Sequence, residues 1–308
     1  MNRAGAVQPL GPDSVTWRYY GDWRGMLVGL WAGSLQNMHP QLGAGVEEHS
    51  DFFTERWQRL YRSLYPINGV VYDGDRAEQT AREVRDYHRT IRGVDRHGRP
   101  YSALNPDTFF WAHATFVMSV PVIMEYFGTP LTRREKERFY QESIQWYALY
   151  GLSMRPVPPD WQAFEAYWDR MCRDVLEDNP ATQAVRNIAG IAKPPRLPVP
   201  GWVWRRWLAP AVERQYHWLT TGLYHPAVRE RLGLTWTETD ERRLRRFGRM
   251  VSALWRLVPP SRRMHPRARA GWRRALGKDP ADAPLVQTPR RNLPPPDRRG
   301  DPRHYCPF

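Results

Sequence analysis

Between Phe109 and Phe127 the chain is apolar nearly all round, and this run constrains the fold more than any other feature. A helix with no polar face has to be enclosed by other elements. Its uncharged core, Thr108 to Met124, contains His113 and Pro121 and falls short of the ~20 residues that a membrane-spanning helix needs. The run therefore predicts a buried helix at the centre of an all-α bundle. The flanking segments agree, because their apolar residues recur with a helical period and none alternates as a strand would. Trp23, Met26, Leu27, Leu30, Trp31, Leu35 and Met38 make one stripe, and Phe53, Trp57, Leu60, Tyr61 and Leu64 make another.

Helix boundaries are written in capping residues. Thr132-Arg-Arg-Glu135 is a capping box opening a helix that runs to about Tyr150, where Gly151 is placed to stop it. Asp160 caps a segment with Trp161, Phe164, Trp168 and Met171 on one face, and Thr237-x-x-Asp240 opens the last long helix, with Leu244, Phe247, Val251, Leu254 and Val258 packing on the bundle. Residues 1–19 read as an N-terminal extension. Residues 20–277 read as one helical domain, whose C-terminal part starts near residue 200 after Pro194, Pro195, Pro198 and Pro200. Residues 278–308, rich in Pro and Arg, read as a poorly ordered tail.

Composition narrows the function classes. The 308 residues carry a net charge of +14, but only three of the 46 basic residues are lysines, a bias that a GC-rich genome would also produce. The excess is confined to the C-terminal third: residues 193–308 balance at +16 and residues 1–192 at −2. Solvated helix faces account for much of this, no nucleic-acid partner is expected, and contact with an anionic membrane surface is the partner class the charge leaves open. Cys172 and Cys306 form no CxxC or CxxCH pattern, which fits a reducing, cytoplasmic setting and excludes thioether-linked haem. No apolar run in Met1–Leu10 is long enough for a signal peptide. P-loop, Gly-x-Gly-x-x-Gly and Gly-x-Ser-x-Gly motifs are absent, which sets aside the common nucleotide and hydrolase folds.

The residues that carry chemistry cluster in the first half. Arg85-x-x-His88 lies on a predicted helix whose stripe is Ala77, Ala81, Val84, Tyr87 and Ile91, so His88 is turned toward the interior. Arg92-Gly93 follows one turn later, and Arg59-x-x-Arg62-Ser63 lies upstream on another amphipathic segment. A buried imidazole suits a metal or haem iron, and guanidiniums suit carboxylates, although a lone histidine on an apolar face also serves as an ordinary hydrogen-bonded core residue. Glu47, Glu48 and Asp51 surround His49 and read as helix N-terminal charges, with the role of general base as the alternative. His39 reads as a cap that closes the core, and Trp111 as either core or pocket wall.

Five patterns occur in order: His39-Pro40; Arg59-x-x-Arg62-Ser63; Arg85-x-x-His88-x-x-x-Arg92-Gly93; Tyr101-x-Ala103-x-x-Pro106-Asp107; and Trp111-x-His113. Together they resemble the family uniting bacterial latex-clearing proteins, which are rubber oxygenases, with the fungal mycophenolic-acid-pathway oxygenase, over roughly residues 20–260. The resemblance implies a helical bundle enclosing a non-covalent haem b and oxygen chemistry, with O2, on a hydrophobic, isoprenoid-like substrate. By that resemblance His88 is the iron ligand, Arg85, Arg92, Trp111 and His113 help hold the haem, and Arg59, Arg62 and Ser63 act on oxygen or substrate. The latex-clearing branch has Lys-Thr where this chain has Arg62-Ser63. A guanidinium offers no lone pair, so Arg62 cannot be a distal iron ligand as that lysine can. The alternatives are a haem or lipid carrier without turnover, and a basic binder of membrane surfaces or nucleic acid.

Overall fold

Pro106 sits in the first turn of a 22-residue helix because its missing N–H costs nothing there, and Asn105 caps the turn by accepting from the Asp107 amide. This helix is the predicted central one. Phe110, Trp111, Ala114, Val117 and Phe127 are all at most 1% exposed, and each large side chain so buried is worth roughly 1.5–3 kcal/mol. The computed structural model describes residues 7–50, 56–194 and 197–287.

In chain order the helices are α1 (Val15–Tyr19), α2 (Gly29–Asn37), α3 (Pro40–His49), α4 (Arg56–Tyr72), α5 (Ala77–Asp86), α6 (Pro106–Phe127), α7 (Arg133–Ala148), α8 (Trp161–Arg170) and α9 (Pro180–Arg186). The C-terminal third adds α10 (Gly201–Val203), α11 (Ala209–Leu223), α12 (Pro226–Arg231), α13 (Glu238–Leu257), α14 (Pro260–Arg263) and α15 (Pro266–Ala275). A π-helical turn, Trp204–Leu208, joins α10 to α11. A 3-10 helix, Trp23–Val28, precedes α2, so the first predicted stripe is two elements; Gly25 and Gly29 make that stretch a weak α-helix former. The only sheet among the described residues is a hairpin, β1 (Arg92–Val94) and β2 (Pro100–Ser102), with Gly93 opposite Tyr101. Asp95 fixes its turn by accepting from the amides of His97 and Arg99, and Gly98 takes a φ of +74°.

One continuous hydrophobic cluster runs from Leu10 to Ala268. Both capping boxes form as predicted, at Thr132 and Thr237. The α13–α6 contact is set by Gly248, where a Cβ would meet the Tyr126 carbonyl oxygen at 2.0 Å, so only glycine allows the two backbones to approach. Three expectations need correction. The packed body starts before residue 20, because Trp17 on α1 is 3% exposed and its Nε1–H donates to the Val71 carbonyl. Leu254 does not pack on the bundle but is 56% exposed, because the last turn of α13 docks through Trp255 instead, whose Nε1–H donates to the Asp22 carboxylate. Residues 278–287 are not a loose tail: Asp279 pairs with Arg273 and the Ala283 carbonyl accepts from Arg76, while 288–308 lie outside the described residues.

Candidate functional site

His88 is completely buried, as its stripe requires, and Ala77, Ala81, Val84 and Ile91 are buried with it. It does not lie inside a helix, however. The helix ends at Asp86, and His88 occupies the turn that follows. There its Nδ1–H donates to the Val84 carbonyl at 2.7 Å, satisfying one of the acceptors that every helix C-terminus leaves open. That bond fixes the tautomer and makes Nε2 the lone-pair nitrogen. Burial, and then the charge of Arg59, push the imidazole pKa down to about 4 against the lift from the Val84 bond, so the ring is neutral at pH 7.

The ring borders a largely enclosed cavity of about 10 Å3, lined by Ile67 on α4, Val84, Tyr150, and Phe109, Ala112, His113 and Phe116 on α6. The α6 residues are spaced i, i+3, i+4, i+7 and form one helical face. Phe109 stands edge-on to His88 with ring centroids 5.7 Å apart. It also walls a second apolar cavity of about 20 Å3, bounded by α3 and the hairpin through Gly45, Ile91 and Tyr101. Two small cavities thus share one aromatic partition.

His113 faces the first cavity. Its Nε2–H donates to the Ser143 carbonyl at 3.1 Å, and its buried Nδ1 has no hydrogen-bond partner among the described residues. Burial depresses its pKa to about 3. Because both imidazoles are held neutral, the unfolded chain binds protons that the native state cannot accept once the pH drops below 6.5. Stability is therefore expected to fall from pH 6.5 toward pH 5, by about 1–2 kcal/mol per histidine, or several degrees of Tm. Thermal melts of His113→Gln should show a shallower decline over that window than the parent protein.

The remaining predicted site residues divide. Arg59 and Arg62 are buried on α4, at 4% and 8% exposure, and Arg59 lies near enough to His88 to influence its protonation. The Ser63 hydroxyl donates to the Arg59 carbonyl at 3.1 Å, so its proton is engaged by its own helix. Arg85 is half-buried, pairs with Asp86 and reaches the Tyr150 carbonyl at 3.3 Å, holding the end of the helix whose last residues wall the cavity. Arg92 is exposed on β1, away from the imidazole, with its carbonyl accepting from His49. Trp111 is core: it packs against Trp168 at 5.0 Å and its Nε1–H donates to the Leu35 carbonyl.

His39 caps nothing with its side chain; it is the N-cap residue of α3, buried at the α2–α3 junction. Glu47 and Glu48 sit in the last turn of α3, not the first. Glu47 accepts from the Ala181 amide and so serves the N-terminus of α9, while Glu48 accepts from the Tyr101 hydroxyl at 2.6 Å. Gly93 leaves room for that pair, because a Cβ there would fall 2.3 Å from the Glu48 carboxylate and displace it. Asp51 lies outside the described residues. The sequence reading missed Phe109, Phe116, Ile67 and Tyr150 as cavity walls; the i, i+3, i+4, i+7 spacing on α6 was present but hidden in a segment apolar on every side.

The described residues contain no group of three or more His, Cys, Asp or Glu placed to hold a metal ion. The arrangement is instead one neutral imidazole beside an apolar cavity, with two buried guanidiniums on the adjoining helix, in an all-helical fold. Residues 17–253 match the family model described as "ER-bound oxygenase mpaB/B'/Rubber oxygenase, catalytic domain", and the chain belongs to this oxygenase family. It is also 24% identical over 173 residues to "Uncharacterized protein Mb2261" of Mycobacterium bovis and, to the same extent, to "Uncharacterized protein Rv2237" of Mycobacterium tuberculosis. Those matches take in 56% of this chain and span 64% of the length of either relative. No solved structure matches the chain.

Proposed function

We propose that the protein is a haem-dependent oxygenase that uses O2 on a hydrophobic, isoprenoid-like molecule, with His88 as the iron ligand. The observation that carries this reading is the His88 imidazole, fully buried, neutral, and fixed by Val84 so that Nε2 bears the lone pair. The donor chemistry fits haem: one oriented imidazole whose other nitrogen is held by a backbone carbonyl, with arginines close by to pair with propionates. Space is the more demanding part. The two cavities, about 10 and 20 Å3, are far smaller than the 300–1,000 Å3 typical of ligand pockets, so a haem enters only if Phe109, which walls both, and the side chains beside it move aside.

A haem held at this site would supply the oxygen chemistry. The protein's share is orientation and exclusion of water. Val84 keeps the His88 ring in one tautomer, and the apolar walls keep the site dry. His113 Nδ1 presents a hydrogen-bond acceptor on the same cavity. Arg59 brings positive charge that favours an anionic or polarised ligand near His88. Arg62 does not ligate iron, because its guanidinium has no lone pair.

An absorption spectrum of the freshly purified protein tests the reading. A Soret band that shifts with dithionite and carbon monoxide is expected, together with O2 consumption on an added polyisoprene or diene. Absence of the band after reconstitution with hemin rejects haem dependence; a band without O2 consumption on any apolar substrate makes the protein a carrier. Arg59→Ala and Ser63→Ala should retain the band but lose roughly tenfold or more in turnover, since their proposed roles are toward oxygen and substrate. Equal loss of the band would reassign Arg59 to haem retention.

A further inference from the structure

The helix that opens the C-terminal third keeps one tryptophan inside and presents two to solvent. Trp204 is 5% exposed and its Nε1–H donates to the Ile191 carbonyl at 2.8 Å, which anchors the segment. Trp202 and Trp207 are 64% and 63% exposed. They flank and share the π-helical turn, where hydrogen bonds join residues five apart, so a spacing of five brings both rings toward one side of the helix. Arg205 and Arg206 lie between them, both exposed, and the Arg206 guanidinium sits over the Trp207 ring at 5.1 Å.

A second exposed apolar ridge lies on α13. Trp218 on α11 packs on Phe247, and Gly222 faces Leu244, so α11 and α13 run antiparallel where they meet. On the last turns of α13, Met250, Leu254 and Leu257 are 50%, 56% and 79% exposed at i, i+4, i+7 spacing. Arg246, Arg249 and Arg256 are exposed around them. Leaving this much tryptophan, leucine and methionine in water is unusual unless something covers it. The third of the chain that carries it, residues 193–308, holds 25 basic and 9 acidic residues.

We infer that the Trp202–Trp207 face, with the exposed ridge of α13 as a second apolar element, forms a docking surface for an anionic lipid bilayer. Tryptophan rings match the polar and apolar halves of a headgroup layer, and arginines between them match lipid phosphates. The apolar side chains insert to interfacial depth while the basic surround is drawn to the negative leaflet. Among the described residues no helix is long and apolar enough to cross a membrane, so the contact is a surface contact. It is independent of the haem reading.

The test is co-sedimentation of the full chain with vesicles of phosphatidylcholine alone or with phosphatidylglycerol added. Binding is expected only with phosphatidylglycerol and should weaken at least tenfold in 0.5 M salt. The double substitution Trp202→Ser with Trp207→Ser should lower it at least tenfold, and Arg205→Glu with Arg206→Glu should do the same without touching the rings. All four positions are exposed, so circular dichroism and Tm should stay at parent values. No binding to phosphatidylglycerol vesicles overturns the inference, as does equal binding by parent and tryptophan variant. Concentration-dependent dimerisation that the tryptophan substitutions abolish would assign the face to a second copy of the chain and overturn it as well.

Discussion

His88→Ala is expected to yield a folded protein with no Soret band. The substitution removes the imidazole proposed to hold iron and also the Nδ1–H that serves the Val84 carbonyl, so two effects have to be separated. Loss of that hydrogen bond, with a cavity opened at a fully buried position, costs on the order of 2–3 kcal/mol. Such a loss lowers Tm by several degrees and leaves a domain of this size folded. Loss of the ligand is different in kind, because the neighbouring Arg59 and Arg62 have no lone pair to give in its place. Far-ultraviolet circular dichroism therefore checks folding, the Soret band checks haem, and added imidazole is expected to restore part of the band. A variant with the parent spectrum would move the ligand to His113, which borders the same cavity, before His39, which lies at the α2–α3 junction.

The second large effect belongs to an ion pair far from that chemistry. Arg267 at the start of α15 is 5% exposed at its side chain, and Asp73 at the end of α4 is fully buried; the guanidinium meets both carboxylate oxygens, with Nε 2.9 Å from Oδ1. The Thr80 hydroxyl donates to the same carboxylate at 2.6 Å. Gly69 makes room for the guanidinium, since a Cβ there would lie 2.3 Å from its Cζ. Removing one partner strands the other charge in the interior, so Asp73→Ala or Arg267→Ala should each cost about 3–5 kcal/mol and roughly 10 °C in Tm. Combining Asp73→Leu with Arg267→Met should cost less than either single change, because no unpaired charge remains. A drop in Tm below about 2 °C for either single alanine variant would show that the pair contributes little. The helix bearing Arg267 lies beyond the family match, which ends at residue 253, so this pair fastens a segment outside that match onto the family's fold.

Arg92 and Trp111 show how a motif can be legible while its role is not. Both belong to patterns that are regular in the sequence, yet one ends exposed on β1 and the other deep against Trp168. Helical phase tells which residues share a face, and it placed His88, Ala77, Ala81, Val84 and Ile91 in the interior, although Tyr87 of the same stripe is only half-buried and the helix ends at Asp86. It does not tell which of several apolar faces of α6 meets a cavity and which meets α8. The same limit explains Leu254, whose phase matches Leu244 and Phe247 although the last turn of α13 meets the body through Trp255, one residue further on. The hairpin was missed because its strands are three residues each and its turn is made by Asp95 and Gly98, without the Asn-Gly or Asp-Gly pair that announces a tight turn.

By itself the sequence determined the helical class, the capping boxes at Thr132 and Thr237, the buried central helix, the burial of His88 and the order of motifs that marks the oxygenase family. These depend on periodicity and local hydrogen-bonding chemistry, which act within a few residues along the chain. Only the tertiary structure decided that His88 caps Val84 from a turn, that His113 and Phe109 share its cavity, that Glu48 is engaged by Tyr101, and that Trp202, Trp207 and Leu257 remain in solvent. Each of those outcomes depends on which element packs against which, and packing partners are chosen by shape and buried area summed over the whole core rather than by any local pattern.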